Sequence, residues 1–482
     1  MPYLGQKHTC IDFLFFFLTG NLRIANHIRN LGDAIASNMS SPPTYLLLGG
    51  TPTIPVVTIR DDGKVINEEV VRPNAQDFVE FVEEMMNGCT LERSKKEETP
   101  LLPPPRKNVK HTRHHTKRSG LLKAYQKMNK QHQHAKNTSS NEAAAAAGGG
   151  GDGVRPHGTP FLFLSTKKSD DPRDLDKKLT RQYFKTLSEF AYKGITFHNK
   201  VCLVTGCGQG SIGLELVKGL IGGGAKVIVT TSRFSKTTAD MFGEIYKTCG
   251  GKDSEVILYP FNQGSQQDVN NLIDHIYDSE KGLGLDLDYI IPFAAVSEVG
   301  RDIANIDSLS ELAHRVMLTN LLRMLGRIKN AKESRGIDTK PTHVLLPLSP
   351  NHGQFGGDGL YGESKVGLEG LLTRWHSEGW HSYLTLTGAV IGWTRGTALM
   401  GGNNLVAPGI EKLGVRTFNQ VEMAFTLLGL LHTPLVTAAQ SSPIWADLSG
   451  GMKDLKDLKT VVDSIHLFIY FTLRTRPDLM WA

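Results

Sequence analysis

The sequence predicts an α/β chain built on a doubly wound parallel sheet, and three observations predict it. The stretch Val201-Cys202-Leu203-Val204-Thr205 is apolar and β-branched, and a glycine-rich turn follows it, with Leu214, Leu216, Val217 and Leu220 then recurring at helical spacing. This is strand, tight turn, helix start, the context in which a glycine fingerprint carries meaning. After it, β-rich runs alternate with helical patterns to the end of the chain, as in parallel α/β sheets. Finally, Tyr361 and Lys365 lie four apart, just beyond one of those runs.

The bulk numbers agree with a globular chain. Of 482 residues, 40% are hydrophobic and 21% charged, enough for two or three domains. The net charge of +6 is not a nucleic-acid footprint, because much of it sits in one basic run. The five cysteines, Cys10, Cys89, Cys202, Cys207 and Cys249, have no metal-ligand spacing, so no metal site is expected. Free thiols suit a reducing compartment, and the expected location is cytoplasmic. The apolar runs 13–18 and 467–471 fall short of the roughly 20 residues of a spanning helix. No membrane span is expected, and the first run makes a poor signal peptide.

In chain order, residues 1–90 read as a partial structural segment. Residues 52–71 hold two β-rich runs around Asp61-Asp62-Gly63-Lys64, a hairpin signal. Phe78, Val79, Phe81, Val82 and Met85 then fit one helix face. Residues 91–158 lose all periodicity, passing through a proline run, a basic run at 106–136, and alanine and glycine runs. Such composition cannot bury enough apolar surface to offset chain entropy, so it reads as a disordered linker. A nucleic-acid patch is the alternative for the basic run, but only Tyr125 interleaves it with an aromatic ring. The main domain covers 159–455, and an irregular tail is expected at 456–482. Within the domain, a helix is expected at 178–192 and strands at 226–231, 255–261, 288–294, 343–348, 382–390 and 443–446.

The chemistry follows from the same stretches. Gly206, Gly208, Gly210, Ser211, Ile212 and Gly213 let the backbone approach a pyrophosphate at a helix N-terminus. A plain glycine-rich turn between buried elements shows the same local pattern, so the rest of the chain has to decide. The strand at 226–231 leads into Ser232 and Arg233, where an NAD-preferring site often has an acidic residue. A guanidinium there pairs with a 2′-phosphate, which favours NADPH. On a helix, Tyr361 and Lys365 share a face. Carbonyl reduction needs a proton donor to the developing alkoxide. Tyr361 serves if its pKa is lowered, and the Lys365 ammonium favours the phenolate. Ser349, at the end of its strand, is placed to hydrogen-bond the carbonyl oxygen.

The glycine turn, then Asn320, Ser349 and Tyr361-x-x-x-Lys365, resemble the catalytic set of the short-chain dehydrogenase/reductase family, a Rossmann-type fold. The resemblance implies an Asn–Ser–Tyr–Lys tetrad, with Tyr361 as the acid. It also implies that Lys365 holds the nicotinamide ribose and that Asn320 assists a water relay. The glycine turn, with Ser211 inserted, and the stretches Pro292-Phe293-Ala294-Ala295 and Ala389-Val390-Ile391-Gly392-Trp393-Thr394 depart from that family's usual motifs, and these last two, with the motif around Asn262-Gln263, point to a narrower relative. They are similar to the ketoreductase region of the fungal type I fatty acid synthase α subunit, over about residues 158–452. That resemblance implies NADPH-dependent reduction of a 3-oxoacyl group carried on acyl carrier protein, and assembly of α and β subunits. It implies cofactor contacts at Asn262, Gln263, Ala294, Ala295, Gly392 and Thr394. No carrier-domain serine motif and no ketosynthase-like cysteine is present, so the chain reads as a piece of such a subunit or an imperfect gene product. Two other readings stay open: a piece that binds cofactor or partner without turnover, and a reductase of a specialised synthase. Residues 397–414 are expected to shape the acyl site, with Gly401-Gly402-Asn403-Asn404 suggesting a lid.

Overall fold

The computed structural model describes residues 57–59, 65–67, 75–88, 160–166, 175–400, 406–455 and 458–475. The expected linker, the basic run, the first 50 residues and the 401–404 turn lie outside the described residues.

The chain forms an α/β Rossmann-type sheet whose parallel strands follow the doubly wound order. A short antiparallel hairpin comes first, β1 (Val57–Ile59) with β2 (Val65–Asn67). The main sheet contains β3 (Phe163–Thr166), β4 (Val201–Thr205), β5 (Lys226–Thr231), β6 (Glu255–Pro260), β7 (Tyr289–Pro292), β8 (Thr342–Leu348), β9 (Leu384–Ile391) and β10 (Ile444–Leu448). Its spatial order is β3-β10-β9-β8-β7-β4-β5-β6. All neighbours are parallel except β3, which pairs antiparallel with β10. The order reverses between β4 and β7, which opens a crevice past their carboxyl ends.

Alternation along the strands divides the core into two layers. Val204, Val227, Val229, Ile291 and Leu345 face one hydrophobic cluster. Leu203, Ile228, Ile290, Val344 and Leu346 face the other. Helices α1 (Ala75–Asn87), α2 (Lys177–Lys193), α3 (Ile212–Gly222) and α10 (Gln420–Leu430) cover the first face. Helices α5 (Gln266–Tyr277), α7 (Asn320–Ser334) and α8 (Tyr361–Ser377) cover the second. The remaining helices are α4 (Lys236–Cys249), α6 (Ser308–His314), α9 (Ala407–Glu411), α11 (Thr433–Ser441) and α12 (Leu458–Thr475).

Three features differ from the sequence expectation. Helix α1 is not a separate body: Phe81, Val82 and Met85 belong to the main core, and Phe78 stacks 4.6 Å from Phe425. Strand β3, not placed from the sequence, adds an antiparallel edge to the parallel sheet. The tail expected to be irregular forms α12, and Leu458 and Val462 pack with Trp393, Val406 and Ile410. Their spacing of four puts them on one helical face, which is why burial stabilises a helix there. Among the described residues, no single helix is long and apolar enough to cross a membrane.

Candidate active site

The glycine turn runs between β4 and α3, at the crevice. Gly206 has φ +78, and a methyl there would lie 2.5 Å from the backbone of Phe293. Only glycine permits both the conformation and the close approach of β4 to the β7 end. Gly210 has φ +73, and a methyl on Gly213 would lie 2.5 Å from the Gly206 carbonyl oxygen. Gly208 is exposed, with open space over its backbone. Ser211 caps α3, its hydroxyl accepting the Leu214 N–H at 3.1 Å, and Ile212 begins the helix. The result is a bare backbone cradle at a helix N-terminus, with space for a phosphate group. The donor set fits a dinucleotide pyrophosphate. Cys207, inside this turn, is buried and its thiol is pushed up by burial, so it is no nucleophile.

The neighbouring strand ends line the same crevice. Thr205 Oγ1 accepts the Ala294 N–H at 3.2 Å, which ties β4 to the Ala294-Ala295 turn. Gly392 fits against the Leu448 and Ser449 carbonyls, where a methyl would lie within 2.8 Å of each. Thr394 is buried, its hydroxyl donating to the Gly392 carbonyl at 3.1 Å. Gln420 Nε2 donates to the Gly210 carbonyl at 3.4 Å, joining this loop's neighbour to the glycine turn. Ser232 and Arg233 are exposed at the end of β5, and the Arg233 side chain pairs with no carboxylate among the described residues.

Ser349 directly follows β8 and is 6% exposed, and it interacts with the Tyr361 phenol. Tyr361 opens α8, and Lys365 stands one turn on with Nζ 5.4 Å from the centre of the Tyr361 ring. Lys365 is buried, and Nζ donates to the Pro347 carbonyl at 2.8 Å. Burial lowers its pKa from the usual 10.5 to about 8. The expected lowering of the Tyr361 pKa is not found. Burial outweighs the lowering influence of Ser349 and pushes the phenol up, and the nearby Asp358 adds to this. The phenol is therefore fully protonated at neutral pH, the state a proton donor needs.

Asn320 follows a single π turn, Arg315–Thr319, and is wholly buried. Its amide donates to the Gln263 carbonyl at 2.6 Å and accepts from Arg323 at 2.7 Å. It makes no direct bond to Lys365. Gln263, expected at the cofactor, is buried with Nε2 on the Val316 carbonyl at 2.8 Å. Its side chain and carbonyl brace the π turn and Asn320. Asn262 is exposed beside it, its Oδ1 holding the Gly264 N–H at 3.0 Å. Sequence reasoning missed the second layer altogether. Asn351 accepts the Gly353 N–H and donates to Asp358 at 2.8 Å, and His314 Nδ1 lies 2.9 Å from Ser364 Oγ on the Tyr361 helix. Of these, His314 and Ser364 lie 50 residues apart in sequence and carry no local motif.

No family model matches the chain. The fatty acid synthase subunit alpha of Schizosaccharomyces pombe is 46% identical over 441 residues, 90% of this chain and 24% of its own length. That of Lachancea kluyveri is 57% identical over 302 residues, 62% of this chain and 16% of its own. The chain is homologous to a region of the fungal fatty acid synthase α subunits. It spans no more than about a quarter of the α subunits it matches. The Saccharomyces cerevisiae subunit is 54% identical over 323 residues, 67% of this chain and 17% of its own. A solved short-chain type dehydrogenase/reductase from Mycobacterium ulcerans aligns with 54% of this chain and 91% of its own, at 18% identity and a TM-score of 0.45.

Proposed function

We propose that this chain is the NADPH-dependent 3-oxoacyl-[acyl-carrier-protein] reductase region of a fatty acid synthase α subunit. One observation carries the reading. The Tyr361 phenol interacts with Ser349 and its ring lies under the Lys365 ammonium, one turn further along the same helix. Identity of 46% to 57% with fatty acid synthase α subunits supports the substrate class.

The cradle of Gly206, Gly208, Gly210 and Gly213 would hold a pyrophosphate on backbone N–H groups and the α3 dipole. Arg233 would pair with the 2′-phosphate, and Lys365 would hold the nicotinamide ribose. NADPH, when bound, supplies the hydride. Ser349 and Tyr361 orient the carbonyl by hydrogen bonds to its oxygen and polarise it. Tyr361 then gives its proton to the developing alkoxide. Lys365, easily deprotonated because it is buried, passes a proton back toward the phenolate. Asn320 keeps the π turn and the relay side of the site in place. The substrate is a 3-oxoacyl thioester presented by acyl carrier protein, the partners are the other α and β portions of the synthase, and the compartment is cytoplasmic.

The test is chemical. The purified chain is given NADPH and a 3-oxoacyl pantetheine thioester, and the product is identified by chromatography. Formation of the 3-hydroxyacyl thioester in step with loss of nicotinamide absorbance supports the reading. A folded chain that binds NADPH and forms no product would support the cofactor-binding piece instead.

A further inference from the structure

The helix that carries Tyr361 has no ordinary N-terminal cap. Leu360 stands at the cap position, and no side chain there accepts the free N–H groups of the first turn. An acceptor comes from 62 residues away. Glu298 Oε2 takes the Leu360 N–H at 3.0 Å. Glu298 is 3% exposed, and its Oε1 has no hydrogen-bond partner among the described residues. Around it the two loops are joined by backbone bonds. Gly300 and Arg301 donate to the Gly357 carbonyl at 2.7 and 3.0 Å, and Gly359 donates to the Arg301 carbonyl at 2.9 Å. Residue 359 is glycine with φ +58, and a methyl there would lie 2.5 Å from Glu298 Oε1. The turn before Tyr361 is therefore shaped around this carboxylate.

We propose that Glu298 is a positioning residue for the reduction. Its buried carboxylate fixes the junction of Leu360 and Tyr361 and so holds the phenol against Ser349. A negative group at a helix N-terminus is favourable, which is why a carboxylate works there better than a neutral side chain. Burying one oxygen without a partner costs free energy that packing alone does not offset. One turn further on, His314 and Ser364 anchor the same helix at 2.9 Å. Loss of Glu298 therefore loosens the first turn without freeing the helix. A small misplacement of a reacting group is enough to slow chemistry steeply. The inference rests on the reading of Tyr361 as proton donor.

The experiment uses the whole chain with Glu298→Ala and Glu298→Gln, and two readouts. The first is steady-state reduction of a 3-oxoacyl pantetheine thioester, beside NADPH binding measured without substrate. Glu298→Ala is expected to lower kcat about tenfold, or ~1.4 kcal/mol, with NADPH affinity within twofold of wild type. Glu298→Gln keeps an acceptor oxygen and is expected to recover kcat to within threefold. The second readout is amide hydrogen exchange over residues 358–362, expected to speed up about tenfold in the alanine variant and to recover in the glutamine variant. Unchanged exchange in Glu298→Ala overturns the proposal whatever the activity. So does an unchanged kcat, an equal fall in kcat and NADPH affinity, or a glutamine variant as slow as alanine. A wild-type chain without turnover, with exchange behaving as expected, upholds the clamp and places the failure with the proposed reaction.

Discussion

Lys365 is held at a cost to folding, and Lys365→Met should reveal it. The ammonium is buried, and burial is what lowers its pKa from 10.5 to about 8. At about 1.36 kcal/mol per tenfold, the charged lysine opposes folding by about 3 kcal/mol. The sign follows from proton linkage. Below pH 8 both folded and unfolded lysines are charged and the whole penalty applies. Between pH 8 and 10.5 the folded lysine has lost its proton while the unfolded one keeps it, so stability rises with pH. Above 10.5 the penalty is gone. Methionine fills similar space without charge but gives up the 2.8 Å bond to the Pro347 carbonyl, worth about 1 kcal/mol. The variant should therefore be more stable than wild type at pH 7 by about 2 kcal/mol, and that advantage should fall by about 2 kcal/mol on going to pH 9.5. Urea unfolding of both chains at the two pH values, without nucleotide, measures it. A methionine variant that is less stable at pH 7, or a difference that ignores pH, would refute the burial argument.

Two further variants test the cradle and the cofactor. Gly206→Ala forces a side chain into φ +78 and against the Phe293 backbone at 2.5 Å. Thermal or urea unfolding should show a loss of about 3 kcal/mol, and NADPH binding should weaken as well; a variant of wild-type stability would remove the steric account. Arg233→Ala should weaken NADPH binding about tenfold or more, as expected for one charge-assisted contact, and leave NADH binding unchanged. Equal losses for both nucleotides would place Arg233 away from the 2′-phosphate.

Most of the sheet was legible because its strands are β-branched runs closed by turn residues. The run 226–231 coincides with β5, and Pro443–Ala446 captured all but the end of β10. Strand direction was not legible in Phe163–Thr166, since a four-residue run, Phe-Leu-Ser-Thr, is too short to show a period and names no partner. The helix of Leu458–Thr475 was legible and passed over: Leu458, Val462 and Ile465 have helical spacing, but the surrounding composition drew attention to a boundary. At the candidate site, the order and spacing of Asn320, Ser349, Tyr361 and Lys365 singled out the candidate residues. Their electrostatics could not be read, because the direction of the Tyr361 pKa depends on how deeply the ring is buried. The expected lysine effect is not among the causes, which are burial, Ser349 and Asp358. Gln263 shows the same limit: its motif position suggested a cofactor contact, while its side chain supports the turn that carries Asn320. Glu298 escaped notice because its partner, Leu360, is 62 residues away.

The most direct test is the loss of nicotinamide absorbance with NADPH and a 3-oxoacyl thioester, run with wild type and Tyr361→Phe in parallel, together with NADPH binding for each. A general acid contributes about a hundredfold to ten-thousandfold. Turnover in the wild type that falls by at least about a hundredfold in Tyr361→Phe, with NADPH affinity retained, is the predicted result. Turnover that survives in Tyr361→Phe would contradict the account.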